Sequence, residues 1–307
     1  MPSESDINRK TAKPVLTIAV GAYNDARFLP GCLEALLGQT FSSFKIIISN
    51  NASTDETPQI LEDYQKKDAR IEIIHQPENI GLTNNYNFLK SQADTEFFMW
   101  AACDDRWDPT YVETIMTGML KDPSVVLGFT PYQYFNEEGE RYGSIRAFDY
   151  SGKSAFSRLL RFFLTYDDGM TYGIYRTEAV KDCHFPIWWW INRNTPMNNA
   201  YAFLVYVLAR GQFHLYGTEP LWLNCIKTTS HYEPFRKKQN VFLFLLFFLI
   251  RKFNLIIIQF RNIWQGANNI LLALVLLPIL ILRVLVDFLM IIINPIRKRL
   301  VRTGNHA

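Results

Sequence analysis

The chain has 307 residues, of which 49% are hydrophobic and 15% aromatic, so it is too apolar to be a disordered or low-complexity protein. Its four cysteines lack paired spacing, which excludes a disulfide scaffold or a zinc ribbon and is typical of a reducing compartment. The net charge of +3 conceals an acidic body and a basic C-terminal part whose charges flank apolar runs, which argues against nucleic-acid binding.

The first 13 residues are polar, contain no apolar core of a signal peptide and are expected to form a disordered lead-in to a cytosolic body. Short β-branched runs then alternate with segments of helical spacing. This alternation predicts an α/β domain over residues 14–235, with a mostly parallel sheet covered by helices on both faces. The predicted strands are Val15–Val20, Phe44–Ser49, Ile71–His75, Glu96–Ala101, Val125–Thr130, Met170–Arg176 and Phe213–Tyr216. The predicted helices are Phe28–Leu37, Glu56–Tyr64, Leu82–Ser91, Gly152–Leu164 and Ala200–Arg210.

Polar residues follow three of the predicted strands. They are Tyr23-Asn24-Asp25, Asn50-Asn51 and Asp104-Asp105. Ligands of parallel α/β sheets bind at the carboxyl ends of the strands. We therefore expect these residues to line one polar cleft.

Residues 236–307 are predicted to form a membrane-associated helical tail. Its apolar runs are Val241–Ile250, Phe253–Phe260 and Ile270–Ile293. The last run is long enough to cross a bilayer, but Pro278, Arg283 and Asp287 make a single crossing unfavourable. Because Lys and Arg cluster at both ends of the tail, we expect a hairpin or helices lying in the cytoplasmic leaflet. A pair of buried helices in a soluble domain is the alternative.

Two long segments carry a family resemblance. Pro14–Thr57 and Glu78–Pro109 resemble the opening of family-2 glycosyltransferases, and the later segments Thr171–Arg176 and Glu219-Pro220-Leu221 are also similar. Together these matches extend over residues 14–235. The resemblance implies an inverting enzyme of the GT-A fold. It also implies a nucleotide-diphosphate-sugar donor and a polysaccharide or lipid-linked acceptor.

The resemblance also implies a donor site at the strand ends. Ala22, Tyr23 and Asn24 would hold the nucleotide base, and Asn50 or Asn51 would bind the base or ribose. By the same resemblance, a divalent metal, Mn²⁺ or Mg²⁺, would neutralise the diphosphate. Its ligands would be Asp104 with Asp105 beside it, although this pair could instead cap the following helix.

The chain departs from the family pattern at four places. Asn50 stands where Asp is common, and Ala102 replaces the first carboxylate of an Asp-x-Asp-Asp motif. Asn199-Ala200 takes the place of the acidic pair that contains the usual base, and Lys227 replaces a metal-binding His. We expect Lys227 to supply positive charge to the diphosphate, so that the reaction could proceed without a metal. A solvated lysine at a strand end is the alternative.

A replacement for the usual base is expected just before the Gly169–Arg176 segment. Asp167 and Asp168 are the catalytic candidates, and an ordinary loop is the alternative interpretation. Trp188-Trp189-Trp190 could pack in the core or contact sugar or membrane. His75, His184 and His231 lack metal-ligand spacing with one another and are assigned no role.

These observations predict a glycosyltransferase held at the cytoplasmic face of the cell membrane. A catalytically degenerate subunit that binds sugar nucleotides or acts as a scaffold is the alternative, because several acidic positions are substituted. A different transfer reaction is a further possibility.

Overall fold

The computed structural model describes residues 13–186, 199–225 and 241–304. Its strands are β1 (Leu16–Ala22), β2 (Phe44–Asn50), β3 (Ile71–His75), β4 (Phe97–Ala102), β5 (Arg106–Trp107), β6 (Val125–Phe129), β7 (Tyr132–Phe135), β8 (Arg141–Arg146), β9 (Ile174–Arg176), β10 (Gln212–Leu215) and β11 (Trp222–Cys225). Its helices are α1 (Leu29–Leu37), α2 (Thr57–Lys67), α3 (Leu82–Ser91), α4 (Tyr111–Lys121), α5 (Ala155–Thr165), α6 (Thr177–Val180), α7 (Asn199–Arg210), α8 (Val241–Ala267) and α9 (Ile270–Gly304).

The larger sheet has the strand order β10-β6-β9-β4-β1-β2-β3. All neighbouring pairs in it are parallel except those made by β9, which is antiparallel to both β4 and β6. This arrangement confirms the predicted α/β class and mostly parallel sheet. The expected strand over 170–176 is shorter, because Gly169–Tyr172 forms a 3₁₀ turn before β9 begins.

The core of this sheet is made by the apolar runs from which β1, β2 and β4 were predicted. Trp100 of β4 is fully buried, and four aromatic rings meet it edge-on. These rings belong to Phe98, Tyr175, Phe185 and Phe203, with centroids 4.6 to 5.6 Å from that of Trp100. Such edge-to-face contacts add directional packing to apolar burial. They fix β4, and so the Asp104 turn that follows it.

A second sheet, in the order β5-β11-β7-β8, was not predicted from the sequence. Its strands are short, and β5 pairs with β11 across more than 100 residues of chain. Trp222 of β11 is fully buried, with its ring centroid 5.6 Å from that of Phe129 and 4.9 Å from that of Tyr132. This sheet therefore packs beside the Asp104-Asp105 turn.

The last two helices each bury one face against the domain. On α8, Ile263 is fully buried and the side-chain amide of Asn262 donates to the carbonyl oxygen of Ala202 on α7. On α9, Ala273 and Leu276 are fully buried. Across the residues that the structure describes, no helix has an apolar stretch long enough to cross a membrane.

Candidate functional site

The ends of three neighbouring strands form the donor side of the candidate site. Gly21 pairs with Ala102 of β4, and Ala22 pairs with Asn50 of β2. The backbone N–H of Asn51 also donates to the carbonyl oxygen of Ala22 at 2.9 Å. Since adjacent strands lie about 4.8 Å apart, the turns that follow β1, β2 and β4 meet at one edge, as predicted.

The first turn is locked to the second by side-chain hydrogen bonds. Asn24 has a left-handed backbone with φ of 54°, which Asn tolerates better than most residues. Its N–H donates to Ser53 Oγ at 3.0 Å, and its side-chain oxygen accepts from the Thr54 N–H at 2.8 Å. Ala22 is buried beneath this turn, whereas Tyr23 is 45% exposed. The Tyr23 ring is therefore open for stacking on a planar ligand.

Asn50 and Asn51 are buried, and their amides hold neighbouring turns. The Asn50 side chain donates to Nδ1 of His75 at 3.1 Å and accepts from the Ser53 N–H at 3.1 Å. The Asn51 side chain donates to Asn79 Oδ1 at 3.0 Å and accepts from the Ile80 N–H. Both residues thus shape the donor side, and their contact with a nucleotide stays a prediction.

His75 was missed by sequence reasoning, which looked only for metal-ligand spacing. It ends β3 directly opposite Asn50, and this register brings the two side chains together. The signal available in the sequence was the alternation that predicts β2 and β3 as parallel neighbours. Their register, however, requires the assembled sheet.

The two aspartates after β4 have different surroundings. Asp105 is 2% exposed, and its carboxylate accepts from Trp222 Nε1 at 3.1 Å and from the Cys225 N–H at 2.9 Å. Asp104 is half-buried. These two bonds give Asp105 a structural role, because they hold β11 in place, and its metal role stays a prediction. Asp104 is the more accessible of the two carboxylates.

The alternative of a helix cap at this pair is wrong. Helix α4 begins at Tyr111, and the residue that caps it is Thr110. The N–H and the hydroxyl of Thr110 both donate to the Asp108 carboxylate.

The described residues contain no group of three His, Cys, Asp or Glu side chains that could hold a metal. A divalent ion at Asp104 would thus need oxygen ligands from the diphosphate and water. Mg²⁺ commonly binds in this way, through one or two carboxylates and substrate phosphates.

Asp167 lies in a dense network of hydrogen-bond donors. Its carboxylate accepts from the Tyr132 hydroxyl at 2.8 Å, from Arg146 Nη2 at 2.7 Å and from the Gly169 N–H at 3.0 Å. A Cβ at Gly169 would lie 2.7 Å from the Tyr132 ring, so this close approach requires glycine. These bonds give Asp167 a structural role, because they join the second sheet to the loop before Gly169. Its catalytic role stays a prediction.

Asp168 has a different environment, although it is the next residue. Asp168 is exposed to solvent, in contrast to the buried Asp167. Desolvation by the neighbouring protein, followed by the negative charge of Asp167, raises the pKa of Asp168 to about 6. Its charge also acts on Tyr201 in the first turn of α7, beside the place where the usual base was expected.

Aromatic side chains connect the two halves of the site. Trp222, which donates to Asp105, has its ring centroid 4.9 Å from that of Tyr132. Tyr132 in turn donates to Asp167. The fold thus brings the Asp104-Asp105 turn and the Asp167-Asp168 loop to one region.

The family model described as "Glycosyl transferase family 2" matches residues 17–183, which is more than half of the chain. The chain belongs to glycosyl transferase family 2. One curated family relative is TuaG of Bacillus subtilis (strain 168), a putative teichuronic acid biosynthesis glycosyltransferase. It is 27% identical over 127 residues, which cover 41% of this chain and 50% of TuaG. The chain spans 30% to 50% of the length of TuaG and three other curated relatives.

Two solved structures resemble the family 2 chain in fold. S. aureus TarS 1-349 in complex with UDP-GlcNAc matches with a TM-score of 0.63 and 16% identity, over 82% of this chain and 67% of that one. The mannosyltransferase PcManGT from Pyrobaculum calidifontis, in complex with GDP-Man and Mn²⁺, matches with a TM-score of 0.50 and 13% identity, over 92% and 81%. The α/β, GT-A-like fold expected from the sequence is thereby confirmed.

Two parts of the predicted family 2 site lie outside the described residues. These are Lys227 and the Trp188-Trp189-Trp190 run. Sequence reasoning missed Arg146 and Tyr132, because their contacts with Asp167 depend on the second sheet. The pattern around β8 has no apolar periodicity that would have predicted this sheet.

Proposed function

We propose that this family 2 chain transfers a sugar from a nucleotide-diphosphate donor to an acceptor hydroxyl, with inversion at C1. The observation that supports this most is the family 2 match over residues 17–183, together with the polar turns that the parallel strands bring to one edge. Asp168 is the proposed base, since its charge acts on Tyr201, the residue after the Asn199-Ala200 pair that replaces the family's usual base.

In the proposed reaction, the acceptor oxygen attacks C1 of the sugar from the face opposite the diphosphate. The hydroxyl proton passes to the Asp168 carboxylate as the new C–O bond forms. The bond between C1 and the phosphate oxygen breaks, and the nucleoside diphosphate leaves with its electron pair. A carboxylate of pKa about 6 is ionised at neutral pH and is a stronger base than an ordinary aspartate.

The donor side would bind the nucleotide through Tyr23 and the turns braced by Asn24, Asn50 and Asn51. Two structural relatives carry UDP-GlcNAc and GDP-Man, so uridine and guanosine donors are both candidates. A divalent ion, when bound by Asp104, would neutralise charge on the diphosphate. Lys227 is proposed to supply further positive charge there.

We also propose that the chain acts on a polysaccharide or lipid-linked acceptor at the cytoplasmic face of the membrane. The name of TuaG supports a cell-envelope polymer. The exposed side chains of α9 support a membrane surface, because many are apolar and recur at helical spacing. They are Leu271, Leu274, Val275, Ile281, Leu282, Leu285 and Leu289. Arg297, Lys298 and Arg299 follow in sequence and would favour anionic lipid.

The transfer proposal is tested by donor hydrolysis and acceptor-dependent turnover. Purified protein is incubated with UDP-, GDP- and dTDP-sugars in Mn²⁺, Mg²⁺ or EDTA, and the released nucleoside diphosphate is measured. We expect release from one donor class, with loss of release in D168N. Nucleotide binding without release, both with and without membrane extracts that contain acceptors, would instead support the degenerate-subunit alternative.

The membrane proposal is tested by flotation with vesicles of phosphatidylcholine, with and without phosphatidylglycerol. We expect binding that needs the anionic lipid and is lost in the triple variant L271Q/L282Q/L285Q. The matched control is Y142S/I145S, which replaces exposed apolar residues of β8. Equal flotation of both variants would contradict a role for the α9 face.

A further inference from the structure

The backbone at Tyr166 is strained. Tyr166 follows the last turn of α5 and adopts a left-handed conformation with φ of 55° and ψ of 53°. This conformation costs about 1 kcal/mol or more in a residue with a bulky side chain, and it persists only where the surroundings enforce it. The next two residues are Asp167 and Asp168, so the turn at Tyr166 sets the direction in which their loop leaves the helix.

Side chains from three later helices hold the Tyr166 ring. It stacks on Tyr201 of α7 with centroids 4.1 Å apart and planes inclined by 1°. The guanidinium carbon of Arg283 on α9 lies over the ring, 4.6 Å from its centre. Gln259 of α8, which is 3% exposed, donates to the Tyr166 hydroxyl at 3.1 Å. Stacking, cation–π attraction and this hydrogen bond together fix the ring position.

We infer that Tyr166 is a positioning residue, through which Arg283 and Gln259 of the last two helices hold the Asp168 carboxyl group in place for proton transfer. This inference rests on the proposed role of Asp168 as the base. It assigns α8 and α9 a part in catalysis that is separate from any contact with a membrane. The face of α9 that contains Arg283 differs from its exposed apolar face.

The charge of Asp167 acts on both Asp168 and this cluster. After desolvation, Asp167 raises and Arg146 lowers the pKa of Asp168. Asp168, Tyr166 and Asp167 all raise the pKa of Tyr201, after the effect of burial, and Arg283 lowers it. Because Asp167 and Asp168 directly follow Tyr166, movement of the Tyr166 ring would move the Asp168 carboxyl group relative to Arg146 and Tyr201.

The test compares R283M, which removes the cation but keeps an apolar side chain, with wild type and R283K. We expect R283M to lower kcat by about tenfold, since a small misplacement of a reacting group is costly, with no change in the donor KM. The acidic limb of its pH–rate profile moves away from about pH 6. R283K restores part of kcat. The control is L120A, at an exposed position of α4, which leaves both kinetic constants unchanged.

Two substitutions at Tyr166 separate the ring from the backbone. Y166F keeps the stacked ring and loses the bond from Gln259, so kcat falls by a few-fold only. Y166G accepts the left-handed backbone without strain but removes the ring, so kcat falls at least tenfold. Wild-type kcat in Y166G would overturn the inference. So would an unchanged kcat and pH profile in R283M that retains its thermal stability.

A second readout keeps this inference separate from the transfer proposal. The titration of the Asp168 carboxyl carbon is followed by NMR in wild type, R283M and Y166G, with D168N used to assign the signal. We expect its midpoint to change in both variants even if no transfer is detected. An unchanged midpoint contradicts the positioning role, whereas full activity of D168N contradicts the proposed base.

Discussion

Two regions of the candidate site are built in different ways: the proposed donor side at the ends of β1 and β2, and the Asp167-Asp168 loop, proposed as the acceptor side. On the donor side, the turns after β1, β2 and β3 are held by the uncharged side chains of Asn24, Asn50 and Asn51. On the acceptor side, an ion pair between the half-buried Arg146 and the buried Asp167 precedes a carboxyl group with a raised pKa. The first arrangement holds the backbone turns in one shape, and the second sets the pKa of the Asp168 carboxyl group.

This difference leads to a kinetic expectation. The side-chain amides of Asn24, Asn50 and Asn51 hold the shape of the proposed nucleotide site. Substitutions of these residues should therefore act mainly on the donor KM. The loop at Asp168 holds a group that acts on the reacting proton, so substitutions there should act mainly on kcat. The following predictions test this division, from the largest expected effect to the smallest.

The strongest test of the acceptor side is D168N. We expect kcat to fall about 10²–10⁴-fold, because the amide cannot accept the proton of the acceptor hydroxyl. Nucleotide affinity, measured by calorimetry, should stay within about twofold if the division is correct. A normal kcat in this variant would leave the acceptor side without a base.

The pH profile of the wild-type enzyme gives the same test without a substitution. The base is active when ionised, and its raised pKa means that it takes up a proton as the pH falls through about 6. We expect kcat to be level above about pH 7 and to fall about tenfold per pH unit below about pH 5. A profile that is flat down to pH 4.5 would contradict the assignment of Asp168.

D104N is the corresponding test at the diphosphate. We expect turnover to fall roughly 10²-fold and its stimulation by Mn²⁺ or Mg²⁺ to disappear, because the proposed ion loses its protein carboxylate. D108N is the matched control, since Asp108 lies four residues further on, after β5, and binds Thr110. If D104N and D108N behave alike, Asp104 has no special role in donor binding.

D105A tests the structural role assigned to Asp105. The substitution leaves the buried N–H groups of Trp222 and Cys225 without their acceptor. We expect a loss of roughly 2 kcal/mol in the free energy of unfolding, measured with urea. W222F, which removes only one of these donors, provides the comparison. A large loss of metal stimulation without a loss of stability would return Asp105 to the metal site.

The smallest effect is expected for H75A on the donor side. Loss of the acceptor for the Asn50 amide should cost about 1 kcal/mol in donor binding, or about fivefold in KM. The value of kcat should not change. A change in kcat alone would break the proposed division between the two sides.

Much of the donor side could be predicted from the sequence, because its information is local. The runs that form β1, β2 and β4 are apolar and β-branched, and parallel strands place the residues that follow them at one edge. The family resemblance lies in the same segments. The sequence did not reveal that Asn50 would meet His75, since this depends on strand register.

Much less of the acceptor side could be predicted. Asp167 and Asp168 are adjacent aspartates, and nothing in the sequence distinguishes them as candidates for the base. Their roles separate only when Arg146 and Tyr132 reach Asp167 from the second sheet. That sheet pairs short strands across long stretches of chain, for which hydrophobic periodicity gives no signal.

By itself, the sequence determined the α/β class, the mostly parallel sheet and the polar residues at the strand ends. The physical reason is that side-chain periodicity and β-branched runs act within a few neighbouring residues. Only the tertiary structure decided that Asp105 supports β11, that Asp168 has the raised pKa, and that Arg283 contacts Tyr166. Burial and charge pairing depend on which distant segments come together, and that information exists only in the folded chain.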